Sequence, residues 1–204
     1  MKTNKVYIVD DDPVVRRHLK KLCDHASFFA ITFSCGNDFL QSLSELEPGV
    51  ILLDMRMPDM SGLEVLEAME GETRAFPTLI FTSHADISLA VQAVRSGALD
   101  FMEKSTPATE IIERIEGAFD TASEWERRRD AAAQASAAIA KLTPREKEVA
   151  ELMSHGFSSK HIARQLDLSP RTVEANRARI LKRLKVASSA EAIRIFLVAE
   201  LADI

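Results

Sequence analysis

Apolar runs alternate with helical patterns through the first 120 residues. The runs KVYIVD (5–10), FAITFS (29–34), VILLD (50–54), PTLIFT (77–82) and ALDFME (98–103) are short, rich in β-branched and aromatic residues, and predict five strands. Helical patterns begin at Val14, Asn37, Gly62 and Asp86, with a fifth from Pro107. Nearly continuous apolar strands separated by helices predict a parallel sheet covered on both faces. Such a sheet carries its ligand site at the carboxyl ends of its strands. Asp10, Asp11, Asp54 and Thr82 fall there, with Lys104 just past the last strand.

The pattern then changes. From about Glu110 to Ala140 there is no proline and one glycine, Gly117, and SEWERRRDAAAQASAAIAKL is rich in Ala, Glu and Arg, which predicts a helical linker. The remainder has no strand-like run and reads as four short helices. Pro144 follows Thr143, Gly156 ends one helix, Ser158 opens another, and Ser169-Pro170 is an N-cap followed by an N1 proline. The expected organisation is an α/β domain at 1–122, a helical linker at 123–140 and an all-α domain at 141–204.

Charge divides the chain in the same place. The overall net charge of −5 hides 11 basic and 20 acidic side chains through residue 122, a net of −9, and 15 against 11 from residue 123, a net of +4. Between Leu142 and Val186 the balance is 10 basic to 5 acidic, so two halves of opposite sign imply two jobs. The opening MKTNKVYIVDDD is neither a signal peptide nor a membrane span, so a cytoplasmic protein without a membrane partner is expected. Cys23 and Cys35 lack metal or redox spacing and read as buried reduced thiols.

Three carboxylates at one strand edge repel one another unless a cation joins them. Oxygen ligands around a small opening suit Mg²⁺, and a carboxylate held beside that ion can attack phosphorus. Asp54 is the expected nucleophile, Lys104 a second positive charge for the phosphoryl group, and Thr82 a hydroxyl able to approach it.

The pieces VDDD (9–12), LLDMRMPDMSG (52–62), FTSHAD (81–86) and DFMEKS (100–105) resemble the receiver domain of two-component response regulators over about 120 residues. The resemblance implies a doubly wound five-stranded sheet of order 2-1-3-4-5, and phosphate delivered to Asp54 by a histidine kinase or a phosphotransfer protein. It also implies Mg²⁺ held by Asp10, Asp11, Asp54 and the backbone carbonyl of Arg56, with Thr82 and Phe101 as a switch pair. Arg56 and His84 are candidates to flank the phosphoryl group and restrict water. One departure stands out: the family usually has proline after the lysine, often cis, where this chain has Ser105. A hydrolase of the haloacid-dehalogenase type is the rival, but its Asp-x-Asp pattern meets Arg56 at the second position. The protein is thus expected not to be an enzyme beyond its own phosphotransfer and dephosphorylation.

In the last domain, the helix from about Ser159 to Leu166 and that from Pro170 to Lys185 are joined by a short turn, which is helix-turn-helix spacing. On a helical wheel Val173, Ile180 and Leu184 converge and bury. The opposite side presents Arg171, Ala175, Ala178 and Lys182, flanked by Glu174 and Arg179. Small residues ringed by cations suit phosphates and guanine edges. The segment LTPREKEVAELMSHGFSSKHIARQLDLSPRTVEANRARILKRLKV resembles the LuxR-type DNA-binding domain, and joined to a receiver it resembles the FixJ/NarL class of transcription regulators. By position, Lys160, Arg171, Thr172, Glu174, Ala175, Ala178 and Arg179 correspond to that domain's DNA-facing set. Ser159 and Asn176 stand where the family usually has Asn and His. Arg177 falls on the buried side, where snorkelling or pairing with an acid is expected. The last helix, SAEAIRIFLVAEL, has more apolar surface than one flank needs, and the resemblance adds dimerisation there. The expected function is a regulator that is phosphorylated on Asp54, forms a homodimer and binds double-stranded DNA. The alternative is a phosphate sink or interaction module whose basic domain binds a partner.

Overall fold

The computed structural model describes residues 4–69, 71–72, 75–83 and 86–200. It divides into two compact units, Met1–Trp125 and Glu126–Ile204.

In the first unit, strands β1 (Lys5–Val9), β2 (Phe29–Phe33), β3 (Val50–Leu53), β4 (Thr78–Thr82) and β5 (Asp100–Glu103) form one parallel sheet of order β2-β1-β3-β4-β5. Helices α1 (Pro13–His25), α2 (Gly36–Ser42), α3 (Gly62–Ala68), α4 (Ile87–Arg95) and α5 (Ala108–Ile139) follow the strands in turn, with a short 3₁₀ turn at Leu43–Glu45. Alternation along each strand sorts side chains between two cores. Val6, Ile8, Leu52, Leu79 and Phe81 meet Leu19 and Cys23 of α1 and Ile111 and Ile115 of α5. Tyr7, Val9, Ile51, Leu53 and Ile80 meet Phe39 of α2, Val65 and Leu66 of α3 and Ala93 of α4 on the other face. The doubly wound order expected from the sequence is the observed one.

Three of these helices, α1, α3 and α4, start at a side-chain cap. Asp12 caps α1 by accepting from the Val14 amide at 2.7 Å, with Pro13 at the first helical position. Ser61 and Glu64 form a reciprocal capping box at α3. Gly62 cannot carry a side chain, because a Cβ there lies 2.6 Å from the Asp54 carbonyl oxygen. The first turn of α3 is therefore drawn tightly under the end of β3, and the Gly62 amide donates to the Met55 carbonyl at 3.0 Å.

The second unit is helical: α6 (Pro144–Ser154), α7 (Ser159–Gln165), α8 (Pro170–Leu184) and α9 (Ser189–Glu200) enclose a core of Val149, Ile162, Val173 and Ile180, all fully buried. Ala138 and Ile139, at the end of α5, pack against that core. Where the sequence suggests a helix and a separate helical linker, α5 is one uninterrupted helix of 32 residues. Cys23 is in the core, where burial pushes its thiol up to about 11, whereas Cys35 is only half-buried. Among the described residues no helix is long and apolar enough to cross a membrane.

Candidate functional site

The sheet ends one residue before each buried acid. Asp10 follows β1 and donates its amide to Phe33 at 3.3 Å; Asp54 follows β3 and donates to Val9 at 2.8 Å. Parallel pairing of β1 with β3 in register therefore brings the two carboxylates to one edge. Lys104 follows β5 and is fixed by its amide bond to the Thr82 carbonyl, at 2.8 Å.

Three consecutive aspartates then divide the work. Asp10 is 2% exposed and its Oδ1 accepts from the Asp12 amide at 2.9 Å; Asp12 turns away to cap α1; Asp11 is exposed. Asp10, Asp11 and Asp54 each offer a carboxylate oxygen within 4.8 Å of the others. Lys104 Nζ lies 2.7 Å from Asp10 Oδ2 and 3.4 Å from Asp54 Oδ2. Asp54 is 5% exposed, and its Oδ1 accepts no hydrogen bond from the described residues.

A buried anion with an unsatisfied oxygen is costly, and that cost favours its protonated form. Burial, opposed by the Lys104 ammonium and reinforced by the Asp10 carboxylate, holds the Asp54 carboxyl above its ordinary range. Burial lowers Lys104, but the hydrogen bond and charge of Asp10, then the charge of Asp54, outweigh it and raise the ammonium above its ordinary value. A hard divalent cation fits this donor set: oxygen ligands only, clustered acids, an Asp10 Oδ2 whose partner is the Lys104 ammonium, and an Asp54 Oδ1 with no hydrogen bond from the described residues.

Thr82 is buried at the end of β4, and Phe101, in β5, is half-buried against the core face that contains Ile80, Ala93 and Ala98. Arg56 has an exposed side chain between the buried Met55 and Met57. His84 lies outside the described residues. No peptide bond among the described residues is cis, so Lys104–Ser105 is trans, and the Ser105 hydroxyl donates to Glu103 at 3.0 Å. One contact was not legible in the sequence: Arg16 Nη1 donates to the Asp10 carbonyl at 2.6 Å, so a cation from α1 steadies the turn that carries the acids. Elsewhere in the unit, α4 exposes Ile87, Val91 and Val94, and Arg114 of α5 bridges Asp100, the first residue of β5, and Glu110.

In the second unit, α7 and α8 are joined by a tight turn in which the Leu168 amide bonds to the Ala163 carbonyl at 2.8 Å. Ser169 caps α8 by accepting from the Thr172 amide at 3.0 Å, with Pro170 behind it. Lys160, Arg171, Thr172, Glu174, Ala175, Ala178, Arg179 and Lys182 are all exposed, above a buried stripe of Val173, Asn176, Ile180 and Leu184. Asn176 is 5% exposed and its side-chain amide donates to the Thr172 carbonyl, so this substitution faces the domain's own core. Arg177 is half-buried and reaches Ser159 and Ser189. Glu146 is 2% exposed and accepts from the Thr143 amide at 2.9 Å, with Arg183 Nε 3.2 Å away.

Comparison with known proteins follows the same division. The response regulator receiver domain matches residues 6–116, and the luxR family of bacterial regulatory proteins matches residues 140–196. The transcriptional regulatory protein FixJ of Bradyrhizobium diazoefficiens is 37% identical over 190 residues, 93% of each chain. FixJ of Rhizobium meliloti is 36% identical over 192 residues, 94% of each chain. Among solved structures, the response regulator StyR superposes with a TM-score of 0.74 at 32% identity, over 95% of this chain and 98% of that one. Full-length FixJ from B. japonicum gives 0.61 at 36% identity, over 98% and 99%.

Proposed function

Because the chain belongs to the two-component response regulators that join a receiver to a LuxR-type DNA-binding domain and control transcription, we propose that Asp54 is its phosphoacceptor and the exposed face of α8 its DNA reader. The observation that carries the first part is the unsatisfied, buried Oδ1 of Asp54 between Asp10, Asp11 and Lys104. The family implies a histidine kinase as donor and DNA as target.

In the proposed reaction a carboxylate oxygen of Asp54 forms a bond to the phosphorus of a phosphohistidine, and the P–N bond breaks with its electron pair on the imidazole. The Asp54 carboxylate is buried and poorly solvated, which favours attack. Lys104 holds its charge where the phosphoryl oxygens arrive. Asp10, Asp11, Asp54 and the Arg56 carbonyl are the groups that would hold Mg²⁺, whose charge neutralises the phosphoryl oxygens when bound. Arg16, through the Asp10 carbonyl, keeps the acids in place. Thr82 and Phe101 form the switch: the hydroxyl follows the phosphate and the half-buried ring turns further inward.

The receiver spans 1–122, the linker 123–140 and the effector 141–204 in this reading. Phosphorylation alters the surface built by α4, β5 and α5, where Ile87, Val91 and Val94 are exposed, and pairs two receivers there. One helix-turn-helix covers one half-site and binds weakly, so tethering two raises their effective concentration on a two-fold site. Lys160, Arg171, Thr172, Ala175, Ala178, Arg179 and Lys182 meet phosphates and base edges.

The test is covalent labelling. Acetyl phosphate with Mg²⁺ is expected to phosphorylate the wild type, and Asp54→Asn, which keeps the shape and removes the nucleophile, is expected to take no label. Equal labelling of the two overturns the assignment.

A further inference from the structure

Glu174 is the only acid on α8, an otherwise cationic helix. A carboxylate facing a polyanion is repelled, and a long exposed side chain ordinarily swings away at little cost. Glu174 is held instead. The Ser159 hydroxyl, at the first turn of α7, donates to Glu174 Oε1. The same hydroxyl accepts from Arg177 Nη1 at 2.6 Å, and that nitrogen stands 3.7 Å from Glu174 Oε1. Arg177 Nη2 then donates to Ser189 Oγ at 3.1 Å, at the start of α9. The two serines of SSAE divide their tasks: Ser188 accepts from the Glu191 amide, leaving Ser189 to anchor the guanidinium.

Three helices thus fix one carboxylate through a single oxygen, while the Glu174 side chain remains 62% exposed. Charged partners on both sides of the Ser159 hydroxyl strengthen each bond. A carboxylate that cannot retreat from the DNA surface must find a donor there. In the major groove, the amino group of cytosine is the base donor that suits an acidic side chain, because the adenine amino group lies beside an acceptor. Arg177, half-buried and committed to two serines, is withdrawn from the phosphates.

We propose that Ser159 and Arg177, anchored at Ser189, are positioning residues that lock Glu174 as a reader of cytosine, setting sequence preference without touching DNA themselves. The inference rests on the reading of α8 as the DNA face.

The experiment is selection by the full chain, with acetyl phosphate and Mg²⁺, from a randomised duplex pool, followed by sequencing. Wild type is expected to favour cytosine at one position of each half-site, and Glu174→Ala to lose that preference by roughly 5- to 100-fold. Ser159→Ala and Arg177→Met are expected to weaken the preference about tenfold at that same position only, and Ser159→Thr, which keeps the hydroxyl, to retain it. The double variant Glu174→Ala/Arg177→Met should show no loss beyond that of Glu174→Ala. A uniform loss over all sequences in Ser159→Ala, or an unchanged preference in it, overturns the proposal. Ser159→Ala is a small change at a half-buried site and decides the matter even if Arg177→Met fails to fold. If Arg171→Ala and Lys182→Ala bind the pool as tightly as wild type, the DNA-facing reading of α8 is what fails.

Discussion

Each unit buries one carboxylate whose surroundings invite comparison, and the two are treated in opposite ways. Glu146, at the start of α6, has two donors on its Oε2, the Thr143 amide and the Arg183 guanidinium, while the Thr143 hydroxyl caps its backbone amide. Burial alone would raise its pKa; the Thr143 bonds, then Arg183, bring it below the ordinary carboxylate range. Asp54 has one cation at 3.4 Å, another acid beside it and an oxygen with no hydrogen bond from the described residues, and burial raises its pKa. A satisfied buried acid helps hold a fold together, whereas an unsatisfied one is a standing cost to it. Burial alone does not separate the two cases; the donors that reach each carboxylate do.

The comparison can be broken most severely at Lys104. Lys104→Met leaves Asp10 and Asp54 buried without their counter-charge, and breaking a buried pair costs about 3–5 kcal/mol. Hydrogen exchange on the full chain is expected to show that loss in peptides covering β1 and β3, with those covering α6 and α8 unchanged. Equal protection in wild type and variant would mean the two acids are solvated.

A smaller effect is expected at the satisfied acid. Glu146→Ala removes hydrogen bonds to a charged group at a helix start, worth about 1–2 kcal/mol. The loss should appear in α6 and α8 peptides and leave β3 untouched. If Glu146→Ala proves as costly as Lys104→Met, the donors are not what distinguishes the sites.

The smallest effect, and the sharpest in sign, is with pH. Asp54 has a folded pKa above its unfolded value, so the stability it contributes is fully present below the unfolded pKa and is lost as pH rises through the folded one. Glu146 has a folded pKa below its unfolded value, so its contribution is present above the unfolded pKa and is lost as pH falls through the folded one. Exchange measured from pH 6 down to about pH 4, corrected for intrinsic rates, should therefore show a component of opposite slope in the two units. Asp54→Asn should flatten the first alone, and Glu146→Gln the second alone.

Much of this was legible in the sequence because the signals are local and periodic. The five apolar runs end where the strands end, to within two residues, since the acids and turn formers after them cannot join the sheet. Asp10, Asp54 and Lys104 converge because parallel strands in register end together. The exposed set on α8 follows from the 3.6-residue period. Asn176 lies on the buried stripe between Val173 and Ile180 by that same period, but its polar side chain conceals the placement; the amide is satisfied by its own helix and so tolerates burial. Arg16 on the Asp10 carbonyl, and Arg177 across Ser159 and Ser189, depend on how long side chains cross between elements, which spacing does not encode. The unbroken α5 was concealed for a different reason: nothing in its sequence marks a stop, and the charge change near residue 122 suggested one.

The strand order β2-β1-β3-β4-β5 also has a kinetic meaning. Each parallel pair waits for a helical crossover, and the edge strand β5 pairs only after the chain has been made through Glu103. Non-local pairings of this kind form slowly, whereas a small helical bundle built from neighbouring segments forms in microseconds to milliseconds. Synthesis runs at about 5–20 residues per second, so the second unit, from Glu126 onward, takes seconds to be made. The slower sheet has that interval to itself, and a newly made copy holds an assembled acid site before its helical bundle is complete.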